Sequence, residues 1–310
     1  MTTKNKTFVC EEESGQCCPK ELSSIYENGS SAASMELYVF IDPLCPECWA
    51  LEPAIKKLKM EYGRYLKLNL VLANNLEPLH SSCGSKHRSL MKEMAQAYNE
   101  TGCRTGMPCD GDVWYKNPAP APYDAMAAIK AAGLQGKVIG AKYLRRVREA
   151  LFLHKENIAD QQVLIDCAMR VSGMDVDEFV RDLHSDTTKK ALDNDRKTAE
   201  EMDIRSTPTI VFFNEDIDEP GLKVEGAYRY EIYEDLLREM SGEKLEKCPP
   251  IPLEEFVAFY SLVATKEIAV VYDMKQEEAH REMKKLQLQQ KVEEIPTKHG
   301  SIWRSVAAMS

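Results

Sequence analysis

Between a run of apolar residues and the start of a helical pattern, this chain places Cys45-Pro46-Glu47-Cys48, two thiols separated by two residues. No other feature restricts its fold as much. Upstream, Leu37, Val39 and Ile41 alternate with Tyr38 and Phe40 in a near-continuous apolar run that ends at Asp42-Pro43. That is the texture of a strand buried on both faces. Downstream, Trp49, Leu51, Ile55 and Leu58 recur at helical spacing up to Gly63, and residues 66–72 alternate at period two as a second strand. Strand, CxxC, helix, strand is a βαβ crossover. The helix start offers unpaired N–H groups and partial positive charge, which stabilise a Cys45 thiolate. The two-residue gap lets Cys48 attack a mixed disulfide made by Cys45, so Cys45 reads as the nucleophile and Cys48 as the resolving thiol.

Two further features fit this context. Pro53 falls eight residues after Cys45, where it would bend the helix. Thr207-Pro208-Thr209 opens a late strand, and Pro208 is the candidate cis-proline that faces the two thiols. A CxxC alone is also half of a zinc site or a coincidence; the three features in this order predict an α/β chain with a thioredoxin-like domain. Glu47 puts a carboxylate between the sulfurs, which disfavours a thiolate and points to a weak redox centre.

The rest of the chain divides by texture. Residues 1–34 are polar and read as a mobile arm. Residues 35–241 form the thioredoxin-like domain, with a mainly helical insertion at about 85–203. Met91, Met94, Ala95 and Tyr98 mark one helix, Met126, Ala127 and Ile129 another, and Leu144, Val147 and Leu151 a third. Residues 163–171, 175–183 and 186–202 fit further helices, while 102–122 reads as an irregular loop. Residues 207–213 and 222–226 predict a hairpin, and 230–240 a closing helix. Residues 242–252 hold Pro249, Pro250 and Pro252 and read as a semi-rigid linker. In 253–310, a helix through Phe256, Phe259, Tyr260 and Val263 precedes two more helices and a hairpin, the outline of a winged helix-turn-helix.

Charge restricts the partners. The 310-residue chain has a net charge of −10, which opposes general nucleic-acid binding. Residues 253–310 hold eight Lys/Arg against nine Asp/Glu, so protein binding is favoured over DNA for the C-terminal unit, the alternative being a packing module that only stabilises the first domain. No apolar run reaches the length of a membrane helix, and the first fifteen residues lack the apolar core of a signal peptide. Both predict a cytosolic protein, in which ten cysteines are mostly free thiols, redox pairs or metal ligands. Cys10, Cys17 and Cys18 are weak zinc candidates, because their spacing matches no standard zinc knuckle. Cys83, Cys103 and Cys109, with His80 and His87 near in sequence, could build a metal or redox sensor, but their irregular spacing favours separate free thiols. Cys167 falls among apolar helix residues and reads as core.

The segment Asp42-Pro43-Leu44-Cys45-Pro46-Glu47-Cys48-Trp49-Ala50-Leu51-Glu52-Pro53 resembles the DsbA-like proteins of the SpxH (YjbH) family. The resemblance continues through Cys109-Asp110-Gly111-Asp112-Val113-Trp114 and residues 199–204. It recurs in Thr265-Lys266-Glu267-Ile268-Ala269, Tyr272-Asp273, Lys298-His299-Gly300 and Trp303, so it spans roughly 35–306. It implies a DsbA-type thioredoxin domain in a cytosolic, non-enzymatic adaptor that binds the redox-responsive regulator Spx and promotes its degradation by the ClpXP protease. The competing expectation is a thiol–disulfide oxidoreductase using Cys45 and Cys48. Family members can carry a His- and Cys-rich zinc-associated N-terminus; here the first 34 residues contain no histidine.

Overall fold

The computed structural model describes residues 8–11, 16–19, 35–73, 85–118, 122–214, 216, 220–242 and 245–306. The expectation of a mobile arm over 1–34 falls largely outside these residues. Within that stretch, β1 (Phe8–Glu11) pairs antiparallel with β2 (Gln16–Pro19).

The central sheet begins with β3 (Met35–Ile41), whose side chains are buried or half-buried on both faces, as its apolar run requires. Helix α1 (Pro46–Ala50) follows at once, and α2 (Glu52–Tyr62) continues it after a break at Leu51. Pro53 sits in the first turn of α2, where a missing N–H costs nothing, so it restarts a helix and does not bend one. β4 (Leu66–Leu72) then pairs parallel with β3.

The helical insertion comprises α3 (Ser85–Thr105), α4 (Val113–Lys116), α5 (Tyr123–Leu134), α6 (Lys137–Phe152), α7 (Gln161–Met169), α8 (Val176–Asp182) and α9 (Asp186–Glu201). Part of the expected 102–122 loop is therefore helical at both α3 and α4. β5 (Thr209–Phe213) returns antiparallel to the other side of β3, and β6 (Leu222–Glu225) pairs with it, giving the order β4-β3-β5-β6. One parallel and two antiparallel pairings around a strand that feeds a CxxC helix make this a thioredoxin-like sheet of DsbA type, with its helices inserted between β4 and β5.

After α10 (Tyr230–Ser241), the linker region lies along α2: the Cys248 N–H donates to the Glu61 carbonyl at 2.8 Å, and Arg64 donates to the Glu246 carbonyl at 2.8 Å. The C-terminal unit contains α11 (Leu253–Tyr260), β7 (Leu262–Ala264), α12 (Thr265–Val271), α13 (Gln276–Leu288), β8 (Val292–Pro296) and β9 (Ser301–Ser305), in a sheet ordered β7-β9-β8. Val263, expected in the first helix, is a strand residue: Ser261 turns to a φ of 63° and ends α11. Phe256, Ile268, Met283 and Trp303 centre this unit's own apolar cluster, whereas Leu262, Ala264 and Ile302 join the large core of the preceding domain. Among the described residues no helix is long and apolar enough to cross a membrane.

Candidate functional site: the CxxC corner and the seam behind it

β3 delivers Asp42 and the following turn to the start of α1, where Cys45 is the N-cap. Its Sγ accepts the Cys48 N–H at 3.4 Å, and its thiol donates to the Thr207 carbonyl at 3.4 Å. The Thr207–Pro208 peptide is cis, and Pro208 stands at the head of β5 beside this thiol. The structure therefore brings together Cys45, Cys48 and Pro208, the three residues that sequence spacing selected. Cys45 is half-buried and Cys48 is buried, and both are free thiols.

The two thiols are driven apart in acidity. Hydrogen bonding from the Cys48 thiol holds Cys45 below its ordinary value, helped by the backbone N–H groups of Cys48 and Glu47 and opposed by burial and by Asp42. Burial pushes Cys48 well up, and its thiol's bond to Cys45 adds to this. One sulfur is thus prepared to attack and the other to hold its proton, the asymmetry that disulfide exchange uses.

Glu47 does not act as its sequence position predicts. Its carboxylate turns to α3, accepting the Thr101 hydroxyl at 2.6 Å and pairing with Arg104, while its backbone N–H supports the Cys45 thiolate. The carboxylate that opposes the thiolate is Asp42. It is 2 % exposed, accepts the Leu44 N–H at 2.7 Å, and is pushed by burial up to about 6, against the pull of Arg148.

Behind α1 and α2 lies a lattice of buried charges. α6 places Arg145 over the Trp49 ring at 4.5 Å and stacks Phe152 on the same ring at 5.4 Å. Arg145 donates to both oxygens of Glu267, at 2.9 and 3.0 Å, and Lys56 of α2 donates to the same carboxylate at 2.6 Å. Glu267 also accepts the Ala264 N–H at 2.7 Å. Burial pushes its carboxyl up, but the two cations and the N–H outweigh that and hold it at about 2. A residue of the C-terminal unit is thereby locked between the CxxC helices and the helical insertion.

The thioredoxin family model matches residues 38–235. A structure of a candidate protein disulfide isomerase from Nitrosomonas europaea superposes with a TM-score of 0.55 at 18 % identity, covering 66 % of this chain and 97 % of that one, which is a likeness of fold. The ClpXP adapter protein SpxH of Halalkalibacterium halodurans is 44 % identical over 95 % of this chain and 96 % of its own. That of Bacillus subtilis is 44 % identical over 94 % and 95 %. The chain belongs to the SpxH family.

The family match covers the C-terminal unit as well as the thioredoxin-like domain, so the Glu267 seam lies inside the matched region. Other residues selected from the sequence do not join the site. In the SpxH-family chain, backbone register sets Cys10 opposite Cys17 and Cys18 opposite Val9, but their side chains lie outside the described set, as do Cys83, His80 and the His87 side chain. Among the described residues no three His, Cys, Asp or Glu side chains converge as a metal site. Cys103 is exposed on α3, Cys109 is buried near Cys45, and Cys167 is buried with its thiol pushed up to about 12 by desolvation. Sequence reasoning missed Asp42, Arg148 and the role of Glu267. The available signal was charge in apolar places: Asp42 ends a strand buried on both faces, and Arg148 shares a helix face with Leu144 and Leu151.

Proposed function

We propose that this protein is a ClpXP adaptor that binds the transcription regulator Spx and promotes its degradation. The observation that supports the reading is identity at 44 % along 95 % of the chain with a protein named ClpXP adapter protein SpxH, a match that extends through the C-terminal unit. The buried Glu267–Arg145–Lys56 contact ties the C-terminal unit to the thioredoxin-like domain, so a partner would meet the two together. Purified protein added to Spx, ClpXP and ATP should accelerate Spx loss and form a complex with Spx on gel filtration. No acceleration together with no complex would remove the proposal.

A second reading, thiol–disulfide exchange at Cys45 and Cys48, is favoured by the split acidity of the two sulfurs beside Pro208. It predicts insulin reduction that disappears in Cys45→Ser. Equal and negligible turnover in both proteins would leave the pair as a mark of fold alone.

A further inference from the structure

One face of α3 grips the turn that carries Cys45. Tyr98, Thr101 and Arg104 follow one another at helical spacing, and each holds a group beside that thiol. The Tyr98 hydroxyl donates to the Leu44 carbonyl at 2.6 Å, one residue before Cys45. The Thr101 hydroxyl donates to Glu47 Oε1 at 2.6 Å, and Arg104 Nη2 bonds the same oxygen, two residues after Cys45. Thr101 is buried, and the Thr105 hydroxyl donates to its carbonyl at 2.7 Å, which ties that turn of α3 together. Just past α3, the Pro108 carbonyl accepts Trp49 Nε1 at 2.8 Å. The start of α1 is thus held at Leu44, Glu47 and Trp49 by one neighbouring segment.

The hold on Glu47 matters to Cys45 because of where the chain puts a carboxylate. Glu47 lies in the first turn of α1, and its backbone N–H and that of Cys48 support negative charge on the Cys45 sulfur. A free carboxylate on the same turn would oppose the thiolate that those N–H groups stabilise. The groups that face Cys45 are Cys48 and Glu47 from α1, Asp42 after β3, Tyr98 from α3, Cys109 from the loop after α3, and the Thr207 carbonyl before β5. None of these is a cation. Arg104 supplies one on the rim, against a Glu47 side chain that is one-third exposed. We propose that Thr101 and Arg104 are positioning residues for Cys45: by drawing the Glu47 carboxylate onto α3 they keep its charge off the sulfur, while its backbone N–H stays turned toward it. The inference rests on the exchange reading given above for its chemical use, and it concerns the attacking sulfur alone.

The test treats the reduced full-length protein with iodoacetamide across a pH series and follows alkylation of Cys45 by peptide mass spectrometry. Arg104→Met should move the Cys45 midpoint up by about half a pH unit, which is about threefold slower alkylation below the midpoint. Arg104→Lys should recover most of the rate, and Thr101→Val should move the midpoint the same way by less. R104M/E47Q decides the route: with no carboxylate left to hold, its midpoint should match that of Glu47→Gln alone. An unmoved midpoint in Arg104→Met with a wild-type unfolding curve overturns the proposal. So does an equal rise in the E47Q background, which marks a direct action of the Arg104 charge on the sulfur. Arg104 is exposed, so its replacement tests the site even where Thr101→Val folds poorly. Insulin reduction is measured on the same proteins. A displaced midpoint without wild-type turnover upholds the positioning and removes the exchange reading, whereas unmoved midpoints with turnover remove the positioning alone.

Discussion

Asp42 and Glu267 are both carboxylates sealed from water, at 2 % and 0 % exposure, on two sides of the same CxxC helices. Their surroundings differ. Glu267 is met by Arg145, Lys56 and a backbone N–H, and is held down at about 2. Asp42 has one backbone N–H and the charge of Arg148, and burial drives it up to about 6. Desolvation acts on both, so the number of partners decides the outcome. A surrounded carboxylate is a fixed charge that joins two units of structure. One left short of partners is pushed up by burial instead, at the end of the strand that leads into the CxxC.

The largest effect that separates the two should come from Glu267→Ala. Removing one member of a buried ionic cluster strands the others, and the expected cost is about 3–5 kcal/mol in denaturant unfolding at neutral pH. Its pH signature follows from the depressed folded value. The stabilisation is present above the unfolded value near 4.5 and is lost as pH falls toward 2, with a size on the order of 3 kcal/mol. A wild-type protein no less stable at pH 3 than at pH 6, relative to the variant, would break the contrast.

Asp42→Asn should act in the opposite direction. Folding raises this group from 3.8 to about 6, so its favourable contribution is complete below about pH 3.8 and disappears as pH rises through 6. Asparagine avoids the buried charge, and the variant should be more stable than wild type at pH 7 by on the order of 2–3 kcal/mol. At pH 3.5 the two proteins should unfold alike. No gain at pH 7 would mean that Arg148 compensates the buried carboxylate more fully than burial penalises it.

The part of this contrast legible in the sequence was the part carried by local rules. The apolar run to Ile41, the CxxC at a helix start and the Thr-Pro-Thr before β5 fixed the sheet and brought Cys45, Cys48 and Pro208 together. Glu47 was misjudged because adjacency in sequence says nothing about where a carboxylate turns, and Thr101 and Arg104 lie more than fifty residues away. The Glu267 joint was hidden for the same reason: its partners come from α2 and α6, through contacts 211 and 122 residues apart. Val263 carried an apolar signal compatible with helix or strand, and only the left-handed turn at Ser261 decides it.

The smallest effect belongs to the second attachment of the C-terminal unit, at the β8–β9 loop. Lys298 donates to Asp110 at 3.2 Å and to Asp112 at 3.4 Å, and Lys155 of the insertion shares the Asp110 carboxylate at 2.5 Å. Asp110 is held down at about 2 by these lysines, which resembles Glu267, but Lys298 is 41 % exposed and its charge is screened by water and salt. Lys155 also remains when Lys298 is removed. Lys298→Ala should therefore cost no more than about 1 kcal/mol in urea unfolding, and less as salt is added. The close approach beside it constrains the loop by shape instead: a Cβ on Gly102 would stand 2.7 Å from the His299 ring. A Lys298→Ala loss equal to that of Glu267→Ala, and insensitive to salt, would mean that the loop and not the buried carboxylate joins the two units.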